Sequence, residues 1–361
     1  MKLFQCQSCG NPVYFDNVAC ERCGAWLGFH PETETLMALR DAGDSVWLPV
    51  RGDGAAYRFC ANATHGVCNW LVPADSPGSL CIACEHNRGI PDLSVPENIT
   101  LWRKIEAQKH RLIYSLIRLG LRIPPDTGSI HSGLIFDFLA DIDPDNPVMT
   151  GHADGLITLN IAEADDAERE ARRTAMGEPY RTLLGHFRHE VGHYYWNVLV
   201  RDADTPDRNR LEDFRALFGD EREDYGQALT RHYETGPPAD WQHRFVSAYA
   251  SAHPWEDFAE TWAHYLHIVD TLETAGAFGV QINPTEVYEE SLQAIVWFDP
   301  YRHVDFDQIL KAWFPLTFAV NSLNRSMGLP DLYPFVLAPP AIRKLEFIHV
   351  LVHGPKPSGW T

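Results

Sequence analysis

The chain has 361 residues, of which 30 are Lys or Arg and 49 are Asp or Glu, giving a formal net charge of −19 at pH 7. This length allows one large domain with a small appendage, or two ordinary domains that each bury a core. The strong negative charge opposes a general attraction to nucleic acid or to anionic membranes, so these partners are disfavoured.

The eight cysteines all lie before residue 85. The opening "MKLFQCQSCG" lacks the apolar core of a signal peptide, and no apolar run approaches the roughly 18 residues of a spanning helix. We therefore expect a cytoplasmic protein without a membrane segment. In that compartment grouped cysteines indicate metal binding better than disulfides.

The first cysteine group consists of two Cys-x-x-Cys pairs, each followed by glycine. Its members are Cys6, Cys9, Cys20 and Cys23. Four thiolates at this spacing are typical of a tetrahedral structural zinc site. The sequence predicts a zinc ribbon over residues 1–30.

The second cysteine group has less regular spacing, because only its second pair is separated by two residues. Its members are Cys60, Cys68, Cys81 and Cys84. We interpret it as a second structural zinc site in a ribbon-like module over residues 45–97. His65 is an alternative ligand, but four thiols already complete the set, and we expect His65 at the surface or beside the ligands.

The stretch "PDLSVPEN" at residues 91–98 marks a boundary, after which helical periodicity begins. The chain then predicts a helix, two short apolar strands in "GLIFDFLAD" and "GLITLNIAE", a further helix and a long helical remainder. The predicted class is α+β, with a mostly helical domain and a small sheet over residues 98–361.

The stretch "LLGHFRHEVGHYYW" carries the pattern His-Glu-x-x-His. Residues four apart on a helix lie above one another, so His189 and His193 can bind one metal ion. Glu190 then lies beside the metal, where it can take a proton from a metal-bound water and deliver it to a leaving amine. Gly192 weakens a helix unless another element approaches it closely. The alternative is an amphipathic helix whose two histidines pack against the core.

A third ligand is predicted on a second helix, in "PWEDFAETWAHYLH". Glu256, Glu260 and His264 follow one another at spacings of four on an otherwise apolar helix that starts near Pro254 and Trp255. Polar side chains on such a face need a partner. The sequence after His193 lacks the glycine and third histidine of a metzincin.

This arrangement resembles the gluzincin branch of zinc peptidases. The resemblance implies that Glu256 is the third metal ligand and that Glu260 steadies a ligand histidine. Many relatives have Asp at the second position, so the two roles can be exchanged. His264 is expected beside these groups and is the next candidate ligand.

The resemblance extends over nearly the whole chain. The stretches "RFCANATHGVCNWLVPAD", "FRHEVGHYYW" and "PWEDFAETWAHYLH" are similar to a bacterial family of zinc-binding metallopeptidases with an N-terminal zinc ribbon. Membership implies a zincin-like fold and peptidase activity, but it gives no substrate.

An oxyanion donor and a substrate-binding strand are also predicted, from their positions relative to these motifs. Tyr249 lies seven residues before Glu256, which is similar to the catalytic tyrosine of some toxin-type gluzincins, and it is our candidate oxyanion donor. The competing candidates are Tyr194, Tyr195, Tyr265 and His264. The strand at residues 155–163 is placed at the sheet edge that binds an extended peptide, with an interior position as the alternative.

We therefore expect a zinc hydrolase of peptide or isopeptide bonds with one catalytic and two structural zinc ions. A narrow regulatory protease with one protein substrate fits equally well. A different class is a protein-binding scaffold built on the ribbons. Residues 1–100 carry six Lys and Arg against eleven Asp and Glu, which favours protein over nucleic acid as a ribbon partner.

Overall fold

The structure is a computed structural model that describes residues 2–52, 54–124, 133–141, 148–176, 181–203, 209–287, 289–302 and 304–354. The chain divides into two compact units, residues 1–177 and residues 178–361. Each unit is considered by itself. Its helices and several small sheets make the protein α+β.

Among its described residues, the first unit contains eleven short strands and two α-helices. The strands are β1 Phe4–Gln5, β2 Pro12–Val13, β3 Trp26–His30, β4 Thr35–Asp41, β5 Trp47–Pro49, β6 Tyr57–Phe59, β7 Leu71–Pro73, β8 Asn87–Gly89, β9 Ile135–Leu139, β10 Gly151–Ala153 and β11 Leu156–Asn160. The helices are α1 Pro96–Arg118 and α2 Asp166–Met176.

Strands β3 to β7 form one antiparallel sheet in chain order, next to the small β1–β2 hairpin. This sheet contains strands from both ranges predicted for the ribbon modules: β3 lies within residues 1–30, and β5 to β7 lie within residues 45–97. Its core is aromatic, and helix α1 contributes to it: the ring centroid of Tyr114 lies 5.4 Å from that of Phe15. The predicted helix after residue 98 is confirmed, and it packs within the unit that carries the cysteines.

The second sheet of this unit has the order β10-β11-β9-β8. Both predicted strands are present as β9 and β11, and they pair in parallel. The placement of residues 155–163 at a sheet edge was wrong. Strand β10 pairs with the outer side of β11, so β11 is interior and its backbone groups are already paired on both sides.

The second unit is mainly helical, as the periodicity predicted. Its helices are α3 Leu183–Trp196, α4 Arg210–Phe218, α5 Tyr225–Thr235, α6 Pro254–Ala277, α7 Phe306–Ser326 and α8 Pro339–His353. A hairpin of β12 Gln281–Ile282 and β13 Ala294–Ile295 is the small sheet of this unit among the described residues.

Helices α3 and α6 form the core of the second unit. Gly192 permits this packing, because a Cβ atom added there would lie 2.9 Å from the Cα of Ala259 and 3.2 Å from the Cβ of Trp262. The close approach that would justify a glycine inside helix α3 is therefore present. Within the described part of the chain, every helix is too short or too polar to span a bilayer.

Candidate functional site

The first cysteine cluster brings together all four predicted thiols. Their sulfur atoms lie within 4.8 Å of one another, with Cys6 Sγ 3.7 Å from Cys23 Sγ and Cys9 Sγ 3.6 Å from Cys20 Sγ. A disulfide needs about 2.05 Å between sulfurs, whereas four sulfurs at about 2.3 Å from one zinc ion lie about 3.8 Å apart. The spacing fits zinc and excludes disulfides between these pairs.

The second cluster is also formed by its four predicted thiols, and all four are buried. Cys68 Sγ lies 3.7 Å from Cys81 Sγ, which again fits zinc coordination. His65 is exposed and lies outside the cluster. Instead, His110 of helix α1 points into it, with Nε2 3.3 Å from Cys68 Sγ and 3.8 Å from Cys84 Sγ.

The third candidate centre lies on helix α3 of the second unit. The helix starts where the Thr182 side chain accepts a hydrogen bond from the backbone N–H of Gly185, at 3.0 Å. One turn later, His189 and His193 stand on the same face, and their Nε2 atoms are 3.2 Å apart. The i, i+4 spacing therefore brings the two imidazoles together as the sequence predicted.

Helix α6 brings Glu256 against this histidine pair. The helix begins at Pro254, where the His253 side chain accepts a hydrogen bond from the backbone N–H of Trp255. Glu256 lies in the first turn and is 1% exposed. Its Oε2 is 3.0 Å from His189 Nε2, and its Oε1 is 3.5 Å from His193 Nε2.

These three side chains have the chemistry and spacing of a zinc site. Nitrogen and oxygen ligands about 2.0–2.1 Å from a tetrahedral zinc ion lie about 3.3 Å from one another. The Nε2–Nε2 separation of 3.2 Å is close to this value, and so are the approaches of the two Glu256 oxygens, 3.0 Å from Oε2 to His189 and 3.5 Å from Oε1 to His193. Moreover, the buried Glu256 Oε2 has no hydrogen-bond partner, which is costly unless a cation compensates it.

Glu260 lies behind His189 rather than in front of it. His189 Nδ1 donates to Glu260 Oε1 at 2.7 Å, and Ser247 donates to the other carboxylate oxygen at 2.5 Å. Burial alone would lower the pKa of His189, but Glu256 and Glu260 outweigh burial and raise this pKa well above its ordinary value. With Nδ1 engaged by Glu260, Nε2 is the nitrogen directed at His193 and Glu256.

Glu190 is partly exposed and follows His189 directly on helix α3. Tyr225, which was not predicted from the sequence, also contacts this site: its hydroxyl donates to Glu256 Oε1 at 2.6 Å. Burial and the charges of Glu256 and Glu190 raise the pKa of Tyr225. The predicted Tyr249 also borders the site, with its ring centroid 5.9 Å from that of His189.

The other residues considered as oxyanion donors lie in the packed interior. His264 is buried and its Nδ1 lies 2.7 Å from the Tyr333 hydroxyl. It does not belong to the group of His189, His193 and Glu256 that could hold a metal ion. Tyr195 stacks on the Trp262 ring, and the Tyr265 hydroxyl lies 3.0 Å from His349 Nδ1. Tyr194 is 5% exposed and packs edge-on against Tyr195.

Three residues that contact the predicted sites were missed from the sequence: His110, Tyr225 and Ser247. His110 lies 26 positions after Cys84, and Tyr225 lies 31 positions before Glu256, so no local spacing relates them to the motifs. Ser247 precedes Tyr249 by two positions. It could have been identified from the sequence as a hydroxyl residue shortly before helix α6.

A metal centre of two histidines and a glutamate, together with two cysteine clusters, is the arrangement of a zinc-binding metallopeptidase with a zinc-ribbon head. Comparison with protein families agrees. A family described as "Putative zinc-binding metallo-peptidase" matches residues 98–351, and a zinc-ribbon domain family matches residues 3–95. The chain belongs to this zinc-binding metallopeptidase family.

Two relatives are similar over almost their full length. The uncharacterized proteins Rv2568c of Mycobacterium tuberculosis and Mb2598c of Mycobacterium bovis are each 41% identical to this chain over 357 residues, covering 99% of this chain and 97% of theirs. No solved structure matches the chain.

Proposed function

We propose that this protein is a zinc-dependent hydrolase of peptide or isopeptide bonds, of the gluzincin type with a zincin-like domain. The observation that carries the proposal is the convergence of His189, His193 and Glu256 at zinc spacing, with Glu190 beside them. Zinc held there would supply Lewis acidity, which lowers the pKa of water and polarises a carbonyl group.

In this mechanism Glu190 is the general base and acid. It follows the proposed ligand His189 directly on helix α3, and in our proposal its carboxylate accepts a proton from the attacking water and returns it to the leaving amine nitrogen. A purely structural metal site has no evident need for a carboxylate at this position. This consideration favours an enzyme over a protein-binding scaffold.

The two ring nitrogens of His189 distinguish the proposed roles of Glu256 and Glu260. Glu256 faces Nε2, on the same side as His193, and it is therefore the third ligand in our proposal. Glu260 holds Nδ1, which fixes the ring orientation and the tautomer of the ligand. Tyr249, whose ring borders that of His189, is our candidate to assist a developing oxyanion, whereas the Tyr225 hydroxyl is engaged by Glu256.

The test is a comparison of wild type, Glu190→Gln and chelator-treated protein on unfolded proteins, a peptide library and ubiquitin-like isopeptide conjugates. New termini are identified by mass spectrometry. Wild type should cleave, and Glu190→Gln should bind zinc and fold but lose about a hundred- to ten-thousand-fold in rate. Cleavage that persists in Glu190→Gln would locate the chemistry elsewhere. No cleavage in any substrate set would favour the scaffold.

A further inference from the structure

Helix α5 (Tyr225–Thr235) is largely detached from the core of its unit. Of its eleven residues, Ala228 is the buried one. Its hydroxyl side chains at Thr230 and Thr235 bond to carbonyls of the same helix, and Arg231 pairs with the nearby Glu223. In the described residues, none of these contacts ties α5 to another helix.

Two inward contacts of α5 go to the metal centre. Tyr225 donates its hydroxyl hydrogen to Glu256 Oε1 at 2.6 Å, and about two turns further along, the His232 ring lies 5.9 Å from the Tyr249 ring. Tyr249 in turn borders His189. Besides the buried Ala228 and the packing of the Tyr225 ring against His253 and Trp255, the helix thus meets the interior at its first and eighth residues, and these two contacts lead to the proposed metal ligands.

The Tyr225 hydrogen bond distinguishes the two oxygens of Glu256. Oε1 is occupied by the tyrosine, whereas Oε2 is buried without a hydrogen bond, 3.0 Å from His189 Nε2. A carboxylate with one oxygen held has a fixed rotation about its last bond. The remaining oxygen, Oε2, then faces His189 without further loss of side-chain entropy, and Oε1 itself lies 3.5 Å from His193 Nε2.

We propose that Tyr225 is a positioning residue that fixes the Glu256 carboxylate for the metal, and that it thereby couples metal binding to the docking of helix α5. This inference rests on the proposed metal site but not on hydrolysis. Since such coupling is reciprocal, metal must stabilise docked α5 by the same free energy by which docked α5 favours the metal. A substrate or partner that displaces this exposed helix would weaken the metal centre.

The experiment uses full-length protein with both cysteine clusters loaded with zinc. Zinc affinity at the third centre is measured by competition with a chelator for wild type, Tyr225→Phe and Tyr249→Phe. Tyr249→Phe is the matched control, because the Tyr249 ring also borders the metal centre, at His189, while the hydroxyl that donates to Glu256 is that of Tyr225. Tyr225→Phe should lose about 10- to 100-fold in zinc affinity, and Tyr249→Phe should match wild type.

Hydrogen exchange provides the second readout. Zinc should slow amide exchange across residues 225–235 in wild type and in Tyr249→Phe, and should have little effect on these residues in Tyr225→Phe. Circular dichroism checks that each variant folds. Equal zinc affinities of wild type and Tyr225→Phe, or equal losses in both tyrosine variants, would overturn the inference. So would zinc protection of α5 that survives in Tyr225→Phe.

Glu190→Gln separates this inference from the proposed enzymatic activity. It should bind zinc like wild type and should show the same protection of α5. If no substrate is cleaved but the Tyr225 effects are found, hydrolysis fails and the positioning role stands. If cleavage depends on Glu190 but Tyr225→Phe leaves zinc affinity and exchange unchanged, the positioning role fails alone.

Discussion

The Nε2 atom of His110 lies 3.3 Å from the sulfur of Cys68, so helix α1 contacts the second cysteine cluster directly. The other ring nitrogen, Nδ1, donates to the backbone carbonyl of Glu106 at 2.6 Å, which fixes the ring. Burial alone would lower the pKa of His110, but a hydrogen bond with Cys84 and the charges of Cys84 and Glu106 outweigh burial and raise this pKa, so the imidazolium form can donate from both nitrogens. An N–H donor at a zinc-bound thiolate offsets its negative charge and stabilises the coordinated form. The second cysteine cluster is therefore completed by a helix that lies outside residues 3–95, the range matched by the zinc-ribbon family.

His110→Phe should accelerate zinc loss from the second cluster, because it keeps a ring of similar size but removes the donor. We expect a loss of about 10- to 100-fold in affinity at this centre. The measurement is chelator-driven zinc release, with exposed thiols identified by alkylation and mass spectrometry. His65→Phe is the control, since His65 is exposed and outside the cluster. Equal release rates in both variants would contradict the role of His110.

The purified protein should carry about three zinc ions per chain, two in the cysteine clusters and one at the third centre. The first cluster should release its ion first, because Cys23 is exposed while the second cluster is wholly buried. Elemental analysis and thiol titration decide the point. About one zinc, with eight freely reactive thiols, would be incompatible with the ribbons.

Local patterns were sufficient to predict much of this protein. The i, i+4 spacing of His189 and His193 and the apolar periodicity of α1, α3 and α6 depend only on neighbouring residues. The edge placement of β11 failed because strand β10, three residues long, was too short to show a pattern. The contacts of His110 and Tyr225 depend on how distant segments pack, and no single-sequence spacing encodes this.

The division into domains stays a prediction, because the two family matches meet between residues 95 and 98 whereas the compact units divide elsewhere. The sequence placed a boundary near residue 97, where composition changes, whereas the compact units divide between residues 177 and 178. Helix α1 follows the change in composition but carries His110 to the second cysteine cluster. Composition reports on the local chain, while a compact unit is defined by long-range packing.

Glu256→Ala should abolish zinc binding at the third centre, while Glu260→Ala should retain zinc with about 10- to 100-fold weaker affinity. The reason is geometric: Glu256 faces the Nε2 atom of His189, and Glu260 holds the opposite nitrogen. Metal titration of protein with loaded cysteine clusters measures both effects. The reverse order of the two losses would exchange the roles. Normal zinc binding in both would leave His264 as the next candidate.

Gly192→Ala should destabilise the second unit by about 1–3 kcal/mol through overpacking between α3 and α6. The added Cβ atom would lie 2.9 Å from backbone of Ala259, which cannot rotate away. Gly226→Ala in α5 is the matched control, since its nearest neighbour is a side-chain oxygen at 3.6 Å. Urea unfolding should show the loss in Gly192→Ala and no loss in Gly226→Ala. Equal stability of the two variants would refute the packing argument.

The pH dependence of stability should contain a contribution from His264. Burial is the main cause that lowers the pKa of His264 to about 4, below the ordinary value of about 6.5 in an unfolded chain. Between these values the unfolded state binds more protons than the folded state, so stability rises with pH there and is lost as pH falls from 6.5 towards 4. The shift corresponds to about 3 kcal/mol at most.

His264→Phe removes this titration and also the hydrogen bond between Nδ1 and the Tyr333 hydroxyl. The lost hydrogen bond lowers stability by an amount that does not vary with pH, whereas the lost titration changes the slope. The free energy of unfolding of wild type minus that of His264→Phe should therefore decrease as pH falls from 7 to 4, because only wild type loses stability through this titration. Urea unfolding at matched zinc occupancy measures it, and two parallel pH profiles would show that His264 is not titrating as argued.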